Sequence, residues 1–219
     1  DNKVLSMKLK VATDKYLEYR YEIKDDYMVD FTVRSQGLSN VINASQPVSM
    51  EWKLKSFRHA KSVTYENRYT DLHYEYDDGK DSYLGQATDE EKINDVTWLG
   101  YKQHFFTSIL LTDDAFKTAT ISTENIVDPE MLEKNVEFLK QFESTIPLEL
   151  KGGELNYTMD LYHGPTDYDI LSEYDRNLEA YLNRQTQEER KEREEKKYQQ
   201  RQEQKAKEEK FHYEPFKPF

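Results

Sequence analysis

Three stretches in the first quarter of the chain alternate apolar and polar residues with a period of two. Met7, Leu9 and Val11 are interleaved with Lys8, Lys10 and Ala12, and Tyr27, Val29, Phe31 and Val33 with mostly polar partners. Met50, Trp52 and Leu54 are interleaved with Glu51, Lys53 and Lys55. An extended backbone throws successive side chains to opposite faces, so each stretch is predicted to be a strand. Together they predict an antiparallel sheet with one wet face. Turn chemistry agrees: ATDK (12–15) separates two such runs, and Asp77-Asp78-Gly79 separates two polar ones. The 17 tyrosines suit half-buried strand positions with a wet hydroxyl.

Two helices are expected among the strands. Asp128-Pro129 has the form of an N-cap with Pro at the first helical position, followed by Met131, Leu132, Val136, Leu139 and Phe142 near helical spacing. Pro147 marks a break after it. A second helix is predicted over residues 166–182, where Thr166 and Asp169 make a capping-box-like start and Leu171, Tyr174, Leu178 and Leu182 form one stripe. Such a stripe needs a partner surface.

Beyond residue 182 the composition changes. Residues 183–210 hold ten Lys or Arg and eight Asp or Glu, a net +2, so the rest of this −12 chain carries about −14. Glu189 with Arg193, Glu192 with Lys196 and Glu203 with Lys207 are i,i+4 pairs, which predicts a charged helix or a disordered tail. It ends in FHYEPFKPF, where Pro215 and Pro218 favour an extended docking segment. The acidic remainder repels phosphate backbones, so no DNA partner is expected. The longest apolar runs fall far short of the roughly 20 residues that cross a bilayer.

Chemical motifs are missing from the sequence. There is no cysteine, which removes disulfides, thiolate metal sites and a Cys nucleophile. No GxSxG, HExxH, P-loop or GxGxxG string occurs, and His59, His73, His104, His163 and His212 are scattered with no i,i+4 pair. An EF-type loop starting at Asp77 would have Ser82 where glycine is required and Thr88 where the closing carboxylate belongs, so a turn is the better reading. No catalytic residue, cofactor or metal is expected, and no enzyme activity.

The segments EWKLKSF, ENRYTDLHYEY, WLGYKQHFFTSILL and YTMDLYHGPTDYDILSEYD, in that order and spacing, resemble the extracytoplasmic domain of YidC-family membrane protein insertases of the Bacteroidetes type. The resemblance covers roughly residues 5–175. It implies a mainly β fold, a β-supersandwich similar in architecture to galactose mutarotases, over residues 1–165, with family strands expected before residue 1. Peripheral amphipathic helices would accompany it, including 166–182, with a charged tail at 183–219.

The implied function is the periplasmic part of an insertase and chaperone that helps inner-membrane proteins insert and fold, alone or with the Sec translocon. Nascent membrane proteins and Sec components are the implied partners, with the ribosome a partner of the tail. Residues 1–175 would lie on the periplasmic side of the bacterial inner membrane and the tail on the cytoplasmic side. Thr166, Tyr168, Leu171, Tyr174 and Leu178 are the expected contact with the membrane or the membrane-embedded core. The change near Tyr181 leaves two organisations open: one soluble chain, or two pieces of a longer insertase. An alternative function is a carbohydrate-binding or mutarotase-like sandwich, using His104 or His163 with a carboxylate as acid and base. WLGYKQHFFTSILL is expected to be a strand buried on both faces from His104 onward, with Phe105 in the core.

Overall fold

The alternating stretches are strands in a computed structural model of the chain, which describes residues 3–174 apart from 25, 26, 43–47, 78, 86, 129, 131 and 132. In chain order the elements are β1 (Lys3–Ala12), β2 (Lys15–Ile23), β3 (Met28–Gln36), β4 (Val48–Phe57), α1 (Val63–Arg68), β5 (Asp71–Tyr76), β6 (Lys80–Leu84), β7 (Asp89–Lys102), β8 (Phe106–Asn125), a 3-10 turn (Glu133–Asn135), β9 (Phe138–Leu148), β10 (Asn156–Pro165) and α2 (Tyr168–Tyr174). Every named strand pairing is antiparallel. Both turns fall where turn chemistry puts them. Ala12 pairs with Lys15 around Thr13-Asp14, and Tyr76 pairs with Lys80 around a loop in which Asp77 and Gly79 have positive φ.

The strands run in the order β1-β2-β3-β10-β8-β7-β5-β6, with β9 joined to β8 and β4 joined to β9. Strand β8 belongs to both layers. Its Phe106–Leu111 half pairs with β10, and its Thr120–Asn125 half pairs with β9. Between the halves the register with β7 shifts: Leu111 faces Trp98, yet Phe116 faces Val96. The extra residues bend β8 there, and Asp95 takes φ 48° beside the bend. The two faces then close on one core, which includes Phe31, Val33, Leu72, Leu99, Phe142, Ile146 and Met159. Tyr101 ties the layers together. Its ring lies between Trp52 of β4, 4.0 Å away, and Phe142 of β9, 5.1 Å away. Its hydroxyl donates to the Trp52 carbonyl at 2.8 Å and shares a 2.7 Å hydrogen bond with Ser144 Oγ. The fold is thus a mainly β sandwich.

Four expectations change. β1 forms, but it has no buried face: Leu5, Met7, Leu9 and Val11 are all exposed. Strand β1 pairs with β2 alone at the end of the strand order, so its apolar side meets no second layer, and Lys3, Lys8 and Lys10 interrupt the open edge.

The described residues after Asp128 do not form the expected helix. Asp128 Oδ1 does accept from Glu130 N–H at 2.8 Å, but a single 3-10 turn and then β9 follow. The inward row of β9 is Lys140, Phe142, Ser144, Ile146 and Leu148, and two polar members disguise its period of two. A one-residue bulge, where Lys55 faces Gln141 but Phe57 faces Phe138, also buries Leu139, which packs with Val63 and Val136 and imitates helical spacing.

Pro147 lies inside β9 and does not end it. Pairing with β8 stops at Thr145, so Pro147 has a strand on one side only and breaks no ladder on the other. Finally, WLGYKQHFFTSILL is the tip of the β7–β8 hairpin rather than one strand: Leu99, Tyr101 and Leu110 are buried, whereas Phe105 and Phe106 are half exposed.

The sandwich is one compact unit, Asp1–Asp167, and a second unit begins at Tyr168, of which α2 is described. The tail from 183 lies outside the described residues.

Candidate functional site

One end of the sandwich gathers the β7–β8 turn, the loop after β4, helix α1 and the exit of β10. Gln103 N–H donates to the Phe106 carbonyl at 2.8 Å, closing a turn that thrusts His104, Phe105 and Phe106 beyond the inward-facing Tyr101 and Leu110. The loop after β4 is fixed from both directions. The Arg58 guanidinium donates to the carbonyls of Ala60 (2.8 Å), Lys61 (2.7 Å) and Val136 (3.2 Å). The fully buried Glu66 carboxylate accepts from the N–H groups of His59 (2.9 Å) and Ala60 (2.7 Å). Ser62 caps α1 by accepting from Tyr65 N–H at 3.2 Å, and this short helix carries Tyr65 and the following Tyr69 to within 5.4 and 5.1 Å of the His104 ring.

β10 leaves the unit at the same place. Pro165 is in register with Phe106, and the Tyr162 hydroxyl donates to the Pro165 carbonyl at 2.8 Å. Thr166 N–H then donates to the Phe105 carbonyl at 2.8 Å, and its hydroxyl to the Gln103 carbonyl at 3.4 Å. Of the expected contact residues, Thr166 is therefore anchored on the hairpin tip. Tyr168 is exposed in α2, Leu171 and Tyr174 are partly buried there, and Leu178 lies outside the described residues.

The sequence reading did not assign His59, Tyr65 or Tyr69 to this end. One signal was available: 98–112 contains no carboxylate, nor does 57–65, in a chain with 43 acidic residues.

The remaining polar clusters are internal. Lys140 Nζ is completely buried and donates to the carbonyls of Thr70 and Gly85, with Asp71 Oδ1 at 4.0 Å. Burial holds its ammonium below the usual lysine range. Asp71 also faces Lys102 at 3.6 Å and His73 Nε2 at 4.0 Å. Burial, and then Lys102, lowers the His73 pKa, against the opposing pull of Asp71. An ammonium spent on two backbone carbonyls and closed to solvent cannot act as a nucleophile. It fastens β9 to the β5 start and the loop after β6.

Asp160 is another perturbed group. It is in register with Asp30 across β10 and β3, and burial followed by repulsion from Asp30 and Asp113 raises its pKa to about 6. Among the described residues no group of three or more His, Cys, Asp or Glu could hold a metal ion. Among the described residues, the two histidines of the sugar-binding alternative have aromatic rings and a serine beside them rather than a carboxylate, and that alternative is not favoured. His104 sits among Tyr65, Tyr69 and Phe105, while His163 Nδ1 lies 3.0 Å from Ser108 Oγ. No described helix is long and apolar enough to cross a membrane.

A family model for the YidC periplasmic domain matches residues 1–183. The chain belongs to that family. It is similar to the membrane protein insertase YidC of Parabacteroides distasonis, 27% identical over 180 residues that make up 80% of this chain and 27% of the relative. The YidC insertase of Porphyromonas gingivalis is 27% identical over 183 residues, 81% of this chain and 28% of its own length, and that of Bacteroides fragilis 25% identical over 180 residues. The chain thus spans a little over a quarter of the curated relatives it matches.

Proposed function

We propose that this chain is the periplasmic portion of a membrane protein insertase of the bacterial inner membrane, whose substrates are nascent membrane proteins. The observation that carries this reading is the family match over residues 1–183. Insertion needs no bond to be made or broken. It requires that polar segments be eased into lipid, where an unpaired charge is costly, and a rigid domain beside that event orients the machinery. Thr166, Tyr168, Leu171, Tyr174 and Leu178 form the connection to the membrane-embedded core, supported by the anchoring of Thr166 on the hairpin tip. Sec components are partners on the periplasmic side. In the organisation of two pieces of a longer insertase, the charged tail lies on the cytoplasmic side and meets the ribosome.

A chimera tests the proposal. The stretch of the Parabacteroides distasonis insertase that aligns with residues 1–183 is replaced by residues 1–183 of this chain, and the native copy is depleted. Membrane insertion of a multispanning reporter is expected to persist. A chimera that accumulates in the membrane but leaves the reporter uninserted would overturn the reading.

A further inference from the structure

The aromatic end has more exposed ring surface than folding requires. Phe57, Tyr65, Tyr69, Phe105 and Phe106 are each between 38% and 49% exposed. They are not scattered: Phe57 meets His59 at 5.5 Å, His59 meets Phe106 at 5.5 Å, and Phe105 meets His104 at 4.2 Å, which in turn meets both tyrosines. Contiguous exposed apolar surface of this kind marks an interaction site. Its charge is opposite to that of the protein around it. The segments 57–65 and 98–112 contribute Arg58, Lys61 and Lys102 without one carboxylate, while the whole chain carries −12. The nearest acid in α1, Glu66, is buried and bonded to backbone N–H groups. Beside the rings a shallow open depression is lined by Arg58, Lys61 and Lys134 with Phe57 and His59, and Glu137 is the one carboxylate in its lining.

We infer that this end of the sandwich docks on the surface of a lipid bilayer, with Phe57, Phe105 and Phe106 entering the boundary between headgroups and acyl chains and Lys61 and Lys134 facing anionic headgroups. Amphipathic rings with flanking cations are the chemistry that settles at that boundary. Apart from the lysine-bearing strand β1, the rest of so acidic a protein would be repelled from anionic lipid. The chain leaves the sandwich at this end, because Thr166 is bonded to Phe105. The inference rests on the proposed placement of the domain beside a membrane, yet it adds a direct lipid contact which that placement does not require.

The test is flotation of the 219-residue chain with vesicles of phosphatidylethanolamine and phosphatidylglycerol (3:1) and with vesicles of phosphatidylcholine alone. The chain should float with the anionic vesicles, less so at high salt, and weakly with the neutral ones. Phe105→Ser/Phe106→Ser should lower the bound fraction at least five-fold with a thermal midpoint close to wild type, since both rings are half exposed. Lys61→Glu/Lys134→Glu should weaken binding to anionic vesicles alone. Leu5→Ser/Leu9→Ser, on the exposed face of β1, should bind as wild type does. Failure of the wild-type chain to float, equal binding by the Phe105/Phe106 variant, or loss of binding in the β1 variant would each overturn the inference. So would a concentration-dependent dimer, by light scattering, that the Phe105/Phe106 substitutions abolish, because the patch would then serve self-association. The chimera assay is separate. Reporter insertion without vesicle binding would sink the lipid contact and leave the insertase reading standing.

Discussion

Replacing Lys140 by Met separates the work of its ammonium from that of its stem. Methionine keeps most of the length and packing of the side chain and removes three donors and a charge. The Thr70 carbonyl, in a fully buried residue, then has no Nζ partner, and leaving it unsatisfied costs about 1–3 kcal/mol. The Gly85 carbonyl, 2.8 Å from Nζ, is less enclosed, and water recovers part of its bond, so about 1 kcal/mol is assigned to it. Asp71 loses a countercharge at 4.0 Å but keeps Lys102 at 3.6 Å, which limits that loss to about 1 kcal/mol. Against these stands the relieved desolvation of the ammonium, which is why its pKa is lowered in the fold. The net expectation is a destabilisation of about 2–4 kcal/mol. Urea unfolding followed by circular dichroism measures it as a fall in midpoint at constant slope. Adding Asp71→Asn should return about 1 kcal/mol, because the carboxylate that had lost a partner is neutralised. A Lys140→Met midpoint within error of wild type would refute the reasoning, since it would mean the two carbonyls are hydrated without the lysine.

Three further outcomes follow from the same geometry. Tyr101→Phe removes the hydroxyl that reaches Trp52 and Ser144 between the layers, and should cost about 1–2 kcal/mol in the same unfolding assay with the ring packing kept. Leu99→Ala, at a fully buried site, should cost about 2–5 kcal/mol, whereas Phe105→Ala, half exposed at the hairpin tip, should cost about 1 kcal/mol or less. Equal losses would place Phe105 in the core after all. The Asp160 carboxyl, raised from 3.8 to about 6, stabilises the fold fully below pH 4, and that contribution is lost as pH rises through 6. A rise from 3.8 to about 6 corresponds to about 3 kcal/mol, and since Asp160 is only partly buried about 1–2 kcal/mol is expected. The stability difference between wild type and Asp160→Asn should therefore change by that amount between pH 4 and pH 8, and a difference that stays flat would show that the Asp160 carboxyl is not raised in the fold.

What the sequence made legible was periodicity, and what it hid was the identity of each strand's neighbours. The alternation of Met7, Leu9 and Val11 is the same kind of signal as that of Phe31 and Val33. One set lies in the open and the other in the core, because burial depends on whether a second layer lies opposite, and β1 sits at the end of the strand order. The reverse error occurs in β9. A lysine and a serine at inward positions read as a wet face, yet Lys140 is satisfied by carbonyls from Thr70 and Gly85 and Ser144 by Tyr101. These partners are contributed by strands and loops far away in sequence, so no local window contains them. The docking end was concealed in the same way. Its rings come from β4, α1 and the β7–β8 turn, and the apolar richness of WLGYKQHFFTSILL looked like core because Leu99, Tyr101 and Leu110 are core. The hairpin turn at Gln103 divides that segment into a buried anchor and an exposed tip. Residues of one chemical type thus do two jobs within a few positions, and because the acid-free stretch 98–112 contains both, neither hydropathy nor charge tells them apart; the turn does.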